Sequence, residues 1–232
     1  MNLFSFHLAT VTPAAAVAAL CRPPAKKNVP GLRHAECLAT MTLGAPIFSS
    51  ARIQLHTLAV FASWDNERSL EAFLADTKLG HTLSAGWHVR LAFLRRWGHV
   101  AEFDDLPVNM EDTDPSRPVV AVTLARLKLT QLPRFIRWGR PVEQLVHDHP
   151  GTTLALAAVR PPRTFCTFSV WRSRREMEDM VHGRDAEPGS DRHAKAMNER
   201  TRKEFHHAFT TLRFRPLSEH GEWLGRGDYV PS

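Results

Sequence analysis

Apolar residues recur along this chain in two rhythms, every second position and every third or fourth, and the two alternate. Phe4, Phe6 and Leu8 stand two apart within Leu3–Val11, the period of a strand. Pro13 then opens a short apolar helix over Ala14–Leu20, proline being tolerated in a first turn. Arg22–Asn28 reads as a connector, Pro30-Gly31 as a turn, Leu32–Leu43 as a second strand and Gly44–Ser50 as a loop. Ile53–Trp64 is a buried strand. Asn66 offers an N-cap to a helix whose Leu70, Phe73 and Leu74 share one face. A second helical segment over Leu83–Leu94 and a strand around Trp97–Phe103 complete the first half.

Asp104–Pro118 is acidic, proline-bearing and without period, as a linker is. Beyond it the rhythms resume. Val119–Leu127 predicts a strand, and Pro133–His147 a helix with Phe135, Ile136, Val142 and Val146. Thr152–Val159 and Arg163–Trp171 are strands joined at Pro161-Pro162, a hairpin connection. Ser173 and Glu176 form a capping-box signature before Met177, Met180 and Val181. A polar loop over Gly183–Ser190 leads to a helix carrying Ala194, Met197, Thr201, Phe205 and Ala208, then to a last strand over Phe209–Phe214. The tail beyond Trp223 is expected to be loose.

The two halves echo one another. Phe61-Ala-Ser-Trp64 aligns with Phe168-Ser-Val-Trp171, and from each tryptophan the N-cap lies two residues on, at Asn66 and Ser173. The apolar helix positions follow six and nine on, Leu70 and Phe73 against Met177 and Met180. Pro30-Gly31 matches Pro150-Gly151, and His81 matches His193. Each half therefore reads strand, helix, strand, strand, helix, strand, the ferredoxin-like βαββαβ pattern. Helices cover one face of such a sheet and the other face needs a partner, so two units in one chain can close on each other. The expected fold class is α+β, two ferredoxin-like repeats forming a pseudo-twofold dimeric α/β-barrel-like architecture. Its parts are residues 1–103, a linker at 104–117, residues 118–216 and a C-terminal tail at 217–232.

Composition narrows the function classes. The chain has 232 residues, a net charge of +6 and 23% charged residues. Arg172, Arg174 and Arg175 run straight into Glu176, Glu178 and Asp179, so the charge is mixed rather than striped, which argues against a nucleic-acid partner. Mild basicity leaves contact with an anionic membrane surface open. No apolar run reaches the length of a membrane-spanning helix. Met1–Cys21 is apolar but lacks a basic stretch before Phe4. Its Ala-Ala-Leu20-Cys21 end carries a large leucine where a lipoprotein cleavage site has a small residue, so the segment is read as part of the fold. Three scattered cysteines, Cys21, Cys37 and Cys166, suggest neither a disulfide framework nor a zinc site and fit a reducing cytoplasm.

Phe168-Ser-Val-Trp171-Arg-Ser-Arg-Arg-Glu-Met-Glu-Asp-Met, His193-Ala-Lys-Ala-Met, Phe209-Thr-Thr-Leu-Arg-Phe and Glu219-His-Gly-Glu-Trp223 together resemble the spheroidene monooxygenase family. The likeness covers roughly residues 118–226 and is weak over the first half. Thr40–Pro46 lacks that family's Gly-Ser-Gly segment, and residues 204–205 are Glu-Phe where the family has Trp-Phe. The resemblance implies a dimeric α/β-barrel protein performing haem-dependent oxygenation of carotenoids, with an apolar small-molecule substrate. His193 is then the expected axial metal ligand of haem, imidazole being the commonest such ligand. Trp171 and Phe168, with Phe165, are the expected aromatic lining of the haem or polyene site.

Each candidate has a plainer reading. His193 could cap its helix or hydrogen-bond a strand end, a role that would also explain His81. Trp64 and Trp171 could be core anchors at strand-to-helix turns. His147-Asp148-His149 suggests a metal by composition, but i and i+2 diverge on a helix and Pro150 ends it, so a solvated helix end is expected. Adjacent His206 and His207 point apart, so at most one can serve a site. Cys166 reads as a small buried side chain. An alternative function is a cofactor-free barrel that binds a small hydrophobic ligand or performs cofactor-independent oxygenation, and a third is an interaction module. Duplication lets a monomer close the barrel without forbidding a homodimer.

Overall fold

The computed structural model describes residues 3–42, 52–110, 114–184 and 192–231. The elements run β1 Leu3–Thr10, α1 Pro13–Cys21, β2 Leu32–Met41, β3 Ile53–Trp64, α2 Glu67–Asp76, α3 Lys78–Ser84 and β4 Trp87–His99. After a 3-10 turn at Ala101–Phe103 the pattern repeats as β5 Val119–Leu127, α4 Leu132–Asp148, β6 Thr152–Arg160, β7 Thr164–Trp171, α5 Arg174–His182, α6 Arg192–Arg202 and β8 His206–His220. The loop expected over Gly44–Ser50 lies outside the described residues, as does most of that expected over Gly183–Ser190.

All eight strands form one closed antiparallel barrel, ordered β1-β3-β2-β6-β7-β5-β8-β4. Within each repeat the first strand sits beside the third and the fourth, as the ferredoxin-like pattern requires. The α+β, dimeric α/β-barrel fold is thus built within one chain. The two repeats meet along two seams. β4 and β8 pair from His88–His220 to His99–Phe209, whereas β2 and β6 pair only from Ala39–Val159 to Met41–Ala157.

Alternation along the strands sorts the side chains. Phe4, Phe6, Leu38, Phe61, Val89, Leu91, Val122, Leu124, Phe168 and Phe214 fill the barrel interior. Their neighbours in sequence face the helices. The duplicated landmarks do the same work in both repeats: Gly31 O accepts from Asp65 N and Gly151 O from Arg172 N, each 2.8 Å, locking the turn after a tryptophan. Trp64 donates to Ser5 Oγ and Trp171 to Ser169 Oγ, both at 2.9 Å. Asn66 and Ser173 cap α2 and α5 as expected.

Three sequence expectations are corrected. The helix expected to carry Phe205 and Ala208 ends at Arg202, and β8 already begins at His206 and runs to His220. Leu83–Leu94 is not one helix: α3 ends at Ser84, and β4 begins at Trp87 and runs through the region where a separate strand at Trp97–Phe103 was expected. Trp87, Val89, Leu91 and Phe93 alternate into the barrel interior, a period of two that overrides the helical spacing of the same leucines. The chain beyond Trp223 is also not loose. Glu219, facing the barrel interior, accepts from Tyr229 N, Val230 N and Trp87 Nε1, and the buried Tyr229 ring packs edge-on against Trp87. The acceptor that holds this segment is a lone glutamate near the end of a strand.

Candidate functional site

A polar cluster closes part of the barrel. In it Glu36, fully buried on β2, receives His34, Arg126 and Arg160, and Arg126 also reaches Glu102. Burial alone would raise the Glu36 carboxyl, but the His34 hydrogen bond and the two guanidinium charges outweigh it and hold it at about 2. His34, Glu36 and Glu102 lie close enough to form a metal-ligand set. The carboxylates are already matched by two arginines, so the group acts as a plug bridging the short β2–β6 seam.

The space between sheet and helices differs between the repeats. In the first, Leu58, Val60, Trp64, Leu70, Phe73, Leu74 and Leu83 pack against Ala19 and Cys37 into a filled layer. Ala16 and Ala19 let α1 lie directly on the sheet. In the second repeat, α4 is 17 residues long and has no buried residue, although Phe135, Trp138, Val142 and Val146 line its inner face. Between α4, α5, α6 and the outer face of β5–β8 lies a cavity of about 930 Å3. That is near the top of the roughly 300–1,000 Å3 range of small-molecule and cofactor pockets. Its sheet floor carries small side chains, among them Ala121, Thr123, Ala157 and Ser169.

His193 lines this cavity. Its Nδ1 lies 3.0 Å from Val181 O at the end of α5. A carbonyl only accepts, so Nδ1 carries the proton and Nε2 keeps its lone pair. Burial pushes the ring's pKa down, ahead of the opposing effect of the Val181 bond, and keeps the imidazole neutral. In the first repeat His81 also bonds a carbonyl, Ala75 O, but through Nε2 rather than Nδ1. The helix-tying role is therefore common to both histidines, and a large cavity on the described residues adjoins His193.

Trp171 borders the cavity with its ring 5.1 Å from that of His149, and is 1% exposed. Phe168 borders it through its place on β7, but its ring stacks on Phe6 at 3.8 Å inside the barrel, on the sheet face away from the helices. Phe165 faces the helices and meets Phe135 edge-on at 4.9 Å. His147 and Asp148 pair with each other in solvent, while His149 turns inward and accepts from Gly151 N, so the three do not converge. Cys166 is buried, and burial drives its thiol pKa upward, away from nucleophilic use.

Sequence reasoning passed over two cavity residues. Arg200 stands seven residues after His193 on α6, the same helical face, with its guanidinium 4.0 Å above the Phe209 ring and 5.0 Å from that of Trp97. His206, weighed only as one of an adjacent pair, is 6% exposed and sits against Phe135, Phe205 and Phe209. Burial, then the charges of Arg200 and Lys128, lower its pKa to about 4. Arg213 is held by Glu178 at 2.6 Å on the same wall.

No family model matches the chain, and no curated protein does. Solved structures do. Aldoxime dehydratase OxdRE, crystallised with butyraldoxime, superposes with a TM-score of 0.54 at 9% identity, over 94% of this chain and 79% of that one. A putative monooxygenase from Fusobacterium nucleatum gives 0.41 at 8% identity, over 95% and 94%. LmHde, a heme-degrading enzyme from Listeria monocytogenes, gives 0.31 at 11% identity, over 91% and 99%. At these identities the likeness establishes the fold alone.

Proposed function

We propose that this chain is a monooxygenase-like oxidoreductase that binds haem in its second repeat, through His193, and acts on an apolar substrate. The observation that carries the reading is the juxtaposition of a neutral, backbone-anchored imidazole with a cavity large enough for a cofactor. The residues present fit the group. A histidine whose Nδ1–H is held by a carbonyl is oriented and made more basic at Nε2, as metal-ligating histidines are. The sequence resemblance to spheroidene monooxygenases, concentrated in β7–β8, supports the finer assignment of an isoprenoid substrate.

Bound haem would supply the one-electron and oxygen chemistry. The chain's own residues bind, orient and exclude water. His193 offers the lone pair, and Val181 O fixes its ring. Phe135, Trp138 and Val142 on α4 face Phe165 and Phe209 across the cavity and give it apolar walls. Trp171 closes the side next to α5. A second reading, a cofactor-free barrel taking a small hydrophobic ligand, is favoured by the apolar inner face of α4 irrespective of His193.

The test is an absorption spectrum of protein expressed with excess haem precursor, before and after dithionite. A Soret band that shifts on reduction and disappears in His193→Ala is the expected result. A flat visible spectrum would overturn the haem assignment and leave the hydrophobic-ligand reading.

A further inference from the structure

The end of the cavity where α6 runs into β8 is chemically unlike the rest. Arg200 lies between the Phe209 and Trp97 rings, and its Nε has no hydrogen-bond partner among the described residues. Removal from water lowers its pKa, the mark of a cation short of a counter-ion. The carboxylate whose charge reaches it, Glu204, is ion-paired with Lys128 at 3.7 Å. Glu199, one residue before Arg200, is taken by Arg202 and Arg134. Among the described residues no carboxylate forms an ion pair with Arg200. Beside it, neither ring nitrogen of His206 has a partner among the described residues, although the side chain is buried and lines the same cavity.

An unmatched cation and an unmatched N–H donor at one end of an apolar chamber define their complement. The missing group must accept hydrogen bonds, because arginine only donates. It must carry negative charge, because Arg200 and nearby Lys128 are both positive. A flat, two-oxygen acceptor suits the guanidinium fork. Phe209, under Arg200 and 4.9 Å from His206, presents apolar surface where the body of the ligand would begin. His193 lies seven residues earlier on the same face of α6, about 10 Å along the helix axis.

We propose that Arg200 and His206 form a carboxylate clamp, so that the cavity takes an amphipathic acid whose apolar body extends from the clamp toward His193. This rests on the reading that the second-repeat cavity is a ligand site, but not on haem. The carboxylate could belong to a free long-chain acid or to the propionates of a porphyrin, and the two sources are separable.

The experiment follows quenching of the cavity tryptophans Trp97, Trp138 and Trp171 in the full chain. The probes are dodecanoate against dodecanol, and hemin against hemin dimethyl ester. The proposal expects at least one acid to bind ten-fold or more tightly than its neutral counterpart. That preference should vanish in Arg200→Gln, weaken in His206→Phe and return in part in Arg200→Lys, with circular dichroism unchanged. Preference within the dodecanoate pair alone assigns a free acid, and within the hemin pair alone a porphyrin. Equal binding of acid and neutral probe, binding of neither, or a preference that survives Arg200→Gln would overturn the clamp. A Soret band dependent on His193, with neither pair preferring its acid, would sink the clamp and leave the haem reading standing. Arg200-dependent dodecanoate binding without any Soret band would do the reverse.

Discussion

Single residues divide this molecule into groups that stabilise it and groups that await something. Glu36 belongs to the first. Its folded pKa is depressed to about 2 from an ordinary 4.5, so its contribution is complete above pH 4.5 and is lost as pH falls towards 2. The difference corresponds to about 3 kcal/mol. Glu36→Gln should remove most of that slope from the unfolding free energy measured by urea titration across pH 2–5. A slope identical to wild type would contradict the plug. His206 gives a loss of stability on acidification too, but for a different reason: the fold disfavours its charged form. Burial holds it neutral to about pH 4, so as pH drops from 6.5 to 4 only the unfolded chain takes up its proton and stability falls. His206→Phe should therefore flatten the pH 4–6.5 limb, again by about 3 kcal/mol at most.

Phe168 lies among the residues lining the cavity, but its ring points into the barrel. Its motif drew attention to it as a cofactor contact, yet Thr167 and Ser169 hold the helix-facing positions and Phe168 stacks on Phe6. Phe168→Ala should cost about 3–5 kcal/mol of stability, the range for emptying a buried phenylalanine site. The hemin or dodecanoate affinity of the folded fraction should change little. A large affinity loss at unchanged stability would reverse the assignment. His193 stood out as an imidazole at a helix start in the stretch that resembles a haem-dependent family, while its counterpart His81 spoke for a structural role. Arg200 could have been found by the same helical arithmetic, being i+7 from His193, but was hidden in a run of mixed charge.

At the scale of elements, most strands and helices were readable because their periods are clean and their caps are in place. β4 was not, since Leu83, Leu91 and Leu94 fit a helix while Trp87, Val89, Leu91 and Phe93 fit a strand. Pairing with β1 on one side and β8 on the other decides for the strand. A pocket between sheet and helices is expected of such a barrel, but its place in the second repeat is visible only in the structure. Ala-rich α1 packs close to its sheet, whereas α4 carries Phe135, Trp138 and Val142 and leaves none of its residues buried. Sequence shows side chains that could fill a space, not whether a helix stands far enough away to leave it empty. Ala121→Leu, on the cavity floor, should raise unfolding stability by about 0.5–2 kcal/mol, as cavity-filling changes do. It should also weaken binding of whichever ligand the cavity takes. A fall in melting temperature with unaltered ligand binding would show that the floor lies elsewhere.

The whole molecule follows from duplication. Two ferredoxin-like sheets each need cover on one face, and each covers the other to close a barrel in a single chain. The long β4–β8 seam is secured by strand pairing, and the short β2–β6 seam is supplemented by Glu36 reaching Arg160 and Arg126. The repeats then diverge in use. One packs its helices to fill the layer above its sheet, and the other holds the layer open around His193, Arg200 and His206. The most direct test of that division is hydrogen–deuterium exchange, read segment by segment, with and without hemin. The account predicts protection in α4, α5, α6 and the flanking ends of β5 and β8, with α1, α2 and α3 unchanged. Protection centred on α1–α3, or no change anywhere in the chain, would contradict it.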